Sequence, residues 1–137
     1  MIQRAVLAAA LLAGATVARA QAASEPDQQP LEACRNHPGW TPTGAAICAR
    51  EATDAADQRI AVLMREARSR ALALRSADLA ASQADWQRYR DLHCGLFDRG
   101  DGSSGSQTPA DVQLCRLART LRRESELREL IYLMGPR

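Results

Sequence analysis

The chain has 137 residues, 46% of them hydrophobic and 25% charged, which is the size and make-up of one foldable domain and excludes wholesale disorder. Aromatic residues contribute only 4%, while there are 27 Ala, 18 Arg and no Lys, so methylene-rich helix faces must build the core; an all-α protein is favoured over a β-sandwich. Sixteen acidic side chains nearly balance the basic ones, so the basic excess of a nucleic-acid binder is missing.

Residues 1–20 read as a signal peptide. Arg4 precedes an apolar run from Ala5 to Val17, and Ala18-Arg19-Ala20 sets small residues at alternate positions, which places the expected cut after Ala20. The run is shorter than the roughly 20 residues of a spanning helix, and no later segment is longer, so no transmembrane segment is expected in the mature chain. Neither a Cys at the cut for a lipid anchor nor a paired-Arg start is present. The expected location is periplasmic or secreted. Loss of Arg4 and Arg19 leaves a formally neutral mature chain.

In an oxidising compartment the four Cys read as two disulfides, with three pairings open. Zinc is disfavoured because no Cys-x-x-Cys pair exists and His93, beside Cys94, would point away from it on a helix. No metal and no cofactor are expected.

Residues 21–33 are polar with two Pro and read as a flexible mature N-terminus, leaving one domain over residues 34–135. From Cys34 to Gly44 two Pro and two Gly indicate an irregular loop, whose large apolar anchor is Trp40, expected to be buried against the helix that follows. From about Ala45, the spacing of Ile60, Leu63, Met64, Ala67, Ala71 and Leu74 predicts a first long helix ending near Arg75. Ser76 and Asp78 are a modest start signal for a second, carrying Leu79, Gln83, Trp86, Arg90, Cys94 and Phe97 on one line; a helix running unbroken through Ser76 is the alternative. The Gly- and Ser-rich run from Asp98 to Gln107 reads as a loop. A third helix opens with Thr108 as N-cap, Pro109 at its first position and Asp111 in its first turn. Its stripe of Leu114, Leu117, Leu121, Leu127, Ile131 and Met134 stops at Gly135-Pro136. The expected architecture is a small antiparallel bundle of about three helices, stapled by disulfides.

Axial levels then select among the pairings. With a turn centred near residue 76, Cys94 lies roughly 15 Å along the axis from Cys48; with a turn near residue 104, Cys94 and Cys115 share a level. Cys94 with Cys115, and hence Cys34 with Cys48, is the expected set. The same arithmetic brings Asp57 within reach of Arg90 and sets Arg123 level with Trp86, where a guanidinium could lie over the indole.

The string Leu79-xxx-Gln83-xx-Trp86-xx-Tyr89-Arg90-Asp91-xx-Cys94 resembles the LprI-type lysozyme-inhibitor domain of bacterial envelope proteins. The resemblance extends to Cys48 and Asp57, to the stretch Gly100 to Ser103, and to Cys115, Thr120, Arg123, Glu126 and Leu127, covering about residues 34–130. It departs in the first long helix, where such domains carry Asp followed by Leu-Asn and a Tyr, but here Asp57 is followed by Ile60, Ala61 and Met64. It implies a helical, exported, non-enzymatic inhibitor whose partner is a lysozyme. The alternative is an envelope interaction module with another partner.

Two groups of residues are singled out. Asp57, Gln83, Trp86, Tyr89, Arg90, Thr120 and Arg123 form the polar and aromatic motif; its plainer reading is a network that fixes helix register. Arg99, Gly100, Asp101, Gly102, Ser103 and Ser104 are the candidate inhibitory loop, since a lysozyme cleft with two carboxyl groups invites Arg99 and hydroxyl donors; its plainer reading is a flexible connector. No Ser stands near a His in sequence to suggest a nucleophile with its base, and the loop lacks the twelfth-position acid of an EF-hand.

Overall fold

A computed structural model describes residues 26–71, 73–98, 100, 103 and 105–135. The expected signal peptide lies outside them. Among the described residues there are four helices and no strand: α1 (Gln29–Arg35), α2 (Pro42–Arg70), α3 (Ala73–Gly95) and α4 (Thr108–Leu133).

The helix beyond the expected three is α1, formed where the sequence reads as the end of a flexible tail. Its signals are short-range: Asp27 Oδ1 accepts from the Gln29 N–H at 3.0 Å, Pro30 stands in the first turn, and Leu31 and Cys34, three apart, are both buried. Seven residues are too few to be stable alone. The helix is held because Leu31 and Cys34 join the core and Cys34 is bonded to Cys48.

The second helix begins three residues earlier than expected. Thr41 is extended, its hydroxyl accepts from the Gly44 N–H at 3.0 Å, and Pro42 opens the first turn, where its missing N–H costs nothing. Its buried face steps by three and four through Ala45, Ala49, Thr53, Ala56, Ile60, Leu63, Met64 and Ala67. It ends at Arg70, with Ala71 extended at the C-cap, so the turn falls near residue 71 rather than 76. Pro109, by contrast, follows Thr108 already inside α4; the residue before that helix is Gln107, which makes no side-chain cap. Gly135, at φ +74°, closes α4 as expected.

The dominant contact is between α2 and α4, not between consecutive helices. Arg59 meets Glu124 and, further along both helices, Arg70 meets the Ile131 and Gly135 carbonyls, so the two run parallel with α3 returning between them in sequence. Methyl side chains make close approach possible: Ala49, Ala56, Ala67 and Ala110 are fully buried. One core cluster gathers Leu31, Cys34, Ala49, Ala56, Leu114, Leu117 and Leu121, and a second gathers Ile60, Leu63, Met64, Ala67, Leu79, Leu127 and Ile131.

Both expected bridges are present, Cys34–Cys48 and Cys94–Cys115, with Cα separations of 5.5 and 5.6 Å. They sit at one end of the bundle. Eleven residues back from Arg59 is Cys48, and eleven back from Glu124 is Gln113, two short of Cys115. Two expectations for apolar side chains fail at this end: Trp40 is 39% exposed, and Phe97 lies half in solvent just beyond the last turn of α3.

Candidate functional site

Asp57 on α2, Arg90 on α3 and Thr120 on α4 meet between the three long helices. Arg90 Nη1 donates to both carboxylate oxygens of Asp57 and to the Thr120 hydroxyl, each at 3.1 Å. The Thr120 hydroxyl in turn donates to the Arg116 carbonyl at 2.8 Å, so this buried hydroxyl both accepts and donates. Arg90 Nε also pairs with Asp91 at 3.3 Å.

Trp86, one turn before Arg90, lies beneath two guanidiniums. The Arg90 carbon is 5.1 Å and the Arg123 carbon 5.8 Å from the indole centroid, within cation–π range. Arg123 is fixed by its other contacts: Nε donates to Gln83 Oε1 at 3.0 Å, Nη2 to the Ser82 hydroxyl at 3.4 Å, and Nη1 pairs with Glu126 at 3.3 Å. Both Arg side chains are nearly nine-tenths buried, yet each has an acceptor or carboxylate. The cluster links α2, α3 and α4 through side chains, and Asp91, which pairs with Arg90, also lies 3.5 Å from Arg116 Nε.

Tyr89 stands outside this cluster. It is exposed, with its ring 5.4 Å from that of His93, whose Nε2 accepts from Arg119 Nη2 at 2.7 Å. Tyr89 begins an apolar stripe that faces solvent: Leu92 is 69% and Leu96 77% exposed, and Phe97 follows. Behind the stripe, Cys94 is fully buried in its bridge to Cys115. Of the candidate loop, Gly100 takes φ +68° and donates its N–H to Asp98 Oδ1 at 3.1 Å, and Ser103 is exposed. Arg99, Asp101, Gly102 and Ser104 lie outside the described residues.

A third group has no counterpart in the sequence reading. Glu124, only 7% exposed, receives Arg59 through Nε and Nη2, both at 2.9 Å, and Arg128 Nη2 at 2.6 Å. Burial pushes its carboxyl up, but hydrogen bonds and charge from Arg59 and Arg128 outweigh that and hold it below the usual glutamate value. The hydrogen bond to Glu124 likewise raises Arg59. These residues edge a groove of about 480 Å³ shared with Asp27, Pro30, Leu121 and Ser125. The spacing of Glu124 and Arg128 was a visible helical pair, but Arg59 lies on another helix and left no local signal. Among the described residues no group of His, Cys, Asp and Glu is arranged to hold a metal, and no helix is long and apolar enough to cross a membrane.

A family model described as lysozyme inhibitor LprI matches residues 34–127. No curated protein and no solved structure gives a significant match.

Proposed function

This chain belongs to the LprI lysozyme-inhibitor family, and from that premise we propose that it is an exported protein that blocks a lysozyme through the bridged end of its α3–α4 hairpin. The observation that carries the choice of surface is the stripe of Tyr89, Leu92, Leu96 and Phe97, turned to solvent beside the Cys94–Cys115 bridge. An exposed apolar patch of this kind is unfavourable in water and marks a contact surface. It adjoins the segment of residues 99–106, where Arg99 would pair with a carboxylate of the lysozyme cleft and Ser103 and Ser104 would donate hydrogen bonds. The bridge restrains the base of that segment and reduces the entropy lost on binding. Residues 1–20 would direct export, in keeping with two disulfides that need an oxidising compartment.

Turbidity assays of wall lysis by several lysozymes, with the protein titrated in, test this reading. Stoichiometric inhibition of one of them is the expected result. Leu92→Asp with Leu96→Asp, and separately Arg99→Ala with Ser103→Ala and Ser104→Ala, should each weaken inhibition by about 2 to 5 kcal/mol, thirty-fold or more, with unchanged helicity. Parent-like inhibition by both variants would move the contact elsewhere on the molecule. Failure to inhibit any lysozyme would remove the inhibitor reading itself.

A further inference from the structure

At the start of α2, His37, Gly39, Trp40, Thr41, Ile47 and Glu51 line a groove of about 390 Å³ that neither the polar cluster nor the α3 stripe uses. That volume falls within the range of small-molecule sites. Trp40 is the largest apolar group there, and its partial exposure forgoes burial that the adjoining core would reward. The segment presenting it is stiff rather than loose. The Cys34–Cys48 bridge spans it, the Thr41 hydroxyl caps α2 at Gly44, and Gly39 supplies the φ of +76° that turns the chain just before the indole. An aromatic face held in place by such restraints binds with little ordering cost.

The polar groups around the indole narrow the ligand. Glu51 offers acceptors, His37 a donor or acceptor, and Thr41 a hydroxyl whose oxygen already takes the Gly44 N–H. The Glu51 carboxylate opposes a phosphate or a nucleic acid. Among the described residues of the lining, Trp40 and Ile47 are the large apolar side chains, too few for the roughly 1,000 Å² of a stable protein interface. With anions disfavoured, a small molecule with one apolar face for the indole and a rim of hydroxyl or amide groups for Glu51 and His37 fits this lining. A pyranose ring has that form: its C–H face covers an indole while its rim reaches the carboxylate and imidazole.

We propose that this groove is a saccharide site, taking an N-acetylhexosamine ring stacked on Trp40, with the acetamido methyl against Ile47 and the amide N–H or hydroxyls donating to Glu51. The site stands independently of the lysozyme reading. It would serve equally a free oligosaccharide or the glycan of a cell wall, since both present the same ring.

The test is a nuclear magnetic resonance titration of the fully oxidised protein with the tetrasaccharide of N-acetylglucosamine, following the two indole N–H signals. A saturable shift of the Trp40 signal is expected, while that of Trp86, clamped by Arg90 and Arg123, stays still as an internal control. Trp40→Ala should weaken binding at least about ten-fold, Trp40→Phe should retain part of it, and Glu51→Gln should weaken it several-fold. Co-sedimentation with insoluble wall glycan, run on the same variants, separates the polymer from the free sugar as the source. No shift of the Trp40 signal at about 10 mM sugar, where even a millimolar site would be filled, would overturn the proposal. So would undiminished binding by Trp40→Ala, or a response to tetramethylammonium in place of the sugar, which would mark a cation site.

Discussion

Removing the guanidinium of Arg90 would leave the Asp57 carboxylate and the Thr120 hydroxyl without the donor they share, and would uncover one face of Trp86. Because Arg90 is nearly nine-tenths buried while Asp57 keeps some contact with water, Arg90→Ala should cost about 2 to 4 kcal/mol in a urea or thermal melt. Arg90→Lys should recover only part, since an ammonium cannot lie flat on the indole; an unchanged melt in Arg90→Ala would show that the cluster does not hold the helices. Glu124 gives the second residue-level prediction, in pH. Its folded carboxyl is held below the ordinary value of about 4.3, so its contribution is complete above that value and is lost as the pH falls through the lowered one. Glu124→Gln should therefore be less stable near neutral pH, by about 1 to 2 kcal/mol because Arg59 and Arg128 are about half exposed, and should lose part of the acid-limb slope in stability measured from neutral pH to about 2. An identical acid limb in the variant would assign that slope to other carboxylates.

At the scale of elements, the two Thr-Pro pairs show what the sequence conveys and what it conceals. Thr108-Pro109 reads as the best helix start, and Thr41-Pro42 sits inside what reads as a loop, yet only Thr41 makes the cap. The difference comes from the preceding residue: Thr41 is extended, whereas Gln107 is already in helical conformation, which pushes Thr108 inward by one position. Thr41→Ala should lower stability by about 1 kcal/mol and Thr108→Ala by a few tenths, read from thermal melts; equal losses would contradict the cap assignment. The periodic faces of α2, α3 and α4 were legible because burial follows helical spacing. The helix α1 was not, because seven residues carry too little period and owe their order to the core and Cys34. Phe97 was misread since its line extends past the last turn of α3, where helical spacing no longer says which way a side chain points.

At the scale of the molecule, the residues of the polar motif were legible as partners because Asp57, Arg90, Trp86 and Arg123 could be compared by axial level. The principal packing was not legible, since periodicity says which face of a helix is buried but not which helix covers it; hence the parallel contact of α2 with α4 and the Arg59–Glu124 pair went unread. Axial levels match Cys94 with Cys115 as found, but the separation of Cys48 from Cys94 presumes a turn near residue 76, and the actual turn near 71 brings those two to about the same level. With both disulfides at one end, the opposite end is held by the chain connection between α2 and α3 near residue 71, and α4 is joined to it there by packing of Leu63, Met64, Leu79, Leu127 and Ile131 and by Arg70 on the Ile131 and Gly135 carbonyls. Thermal opening should therefore be directional, like a clasp hinged at the cysteines: amides around residues 63–70 and 127–133 should exchange with deuterated water well before those around 45–56 and 114–121. Uniform exchange along α2 and α4 would show instead that the molecule opens all at once. A bundle that loosens at one end keeps Trp40 and the α3 stripe in fixed relation while the far end fluctuates, so heat or mild denaturant should erode the distal core before it disturbs either exposed surface.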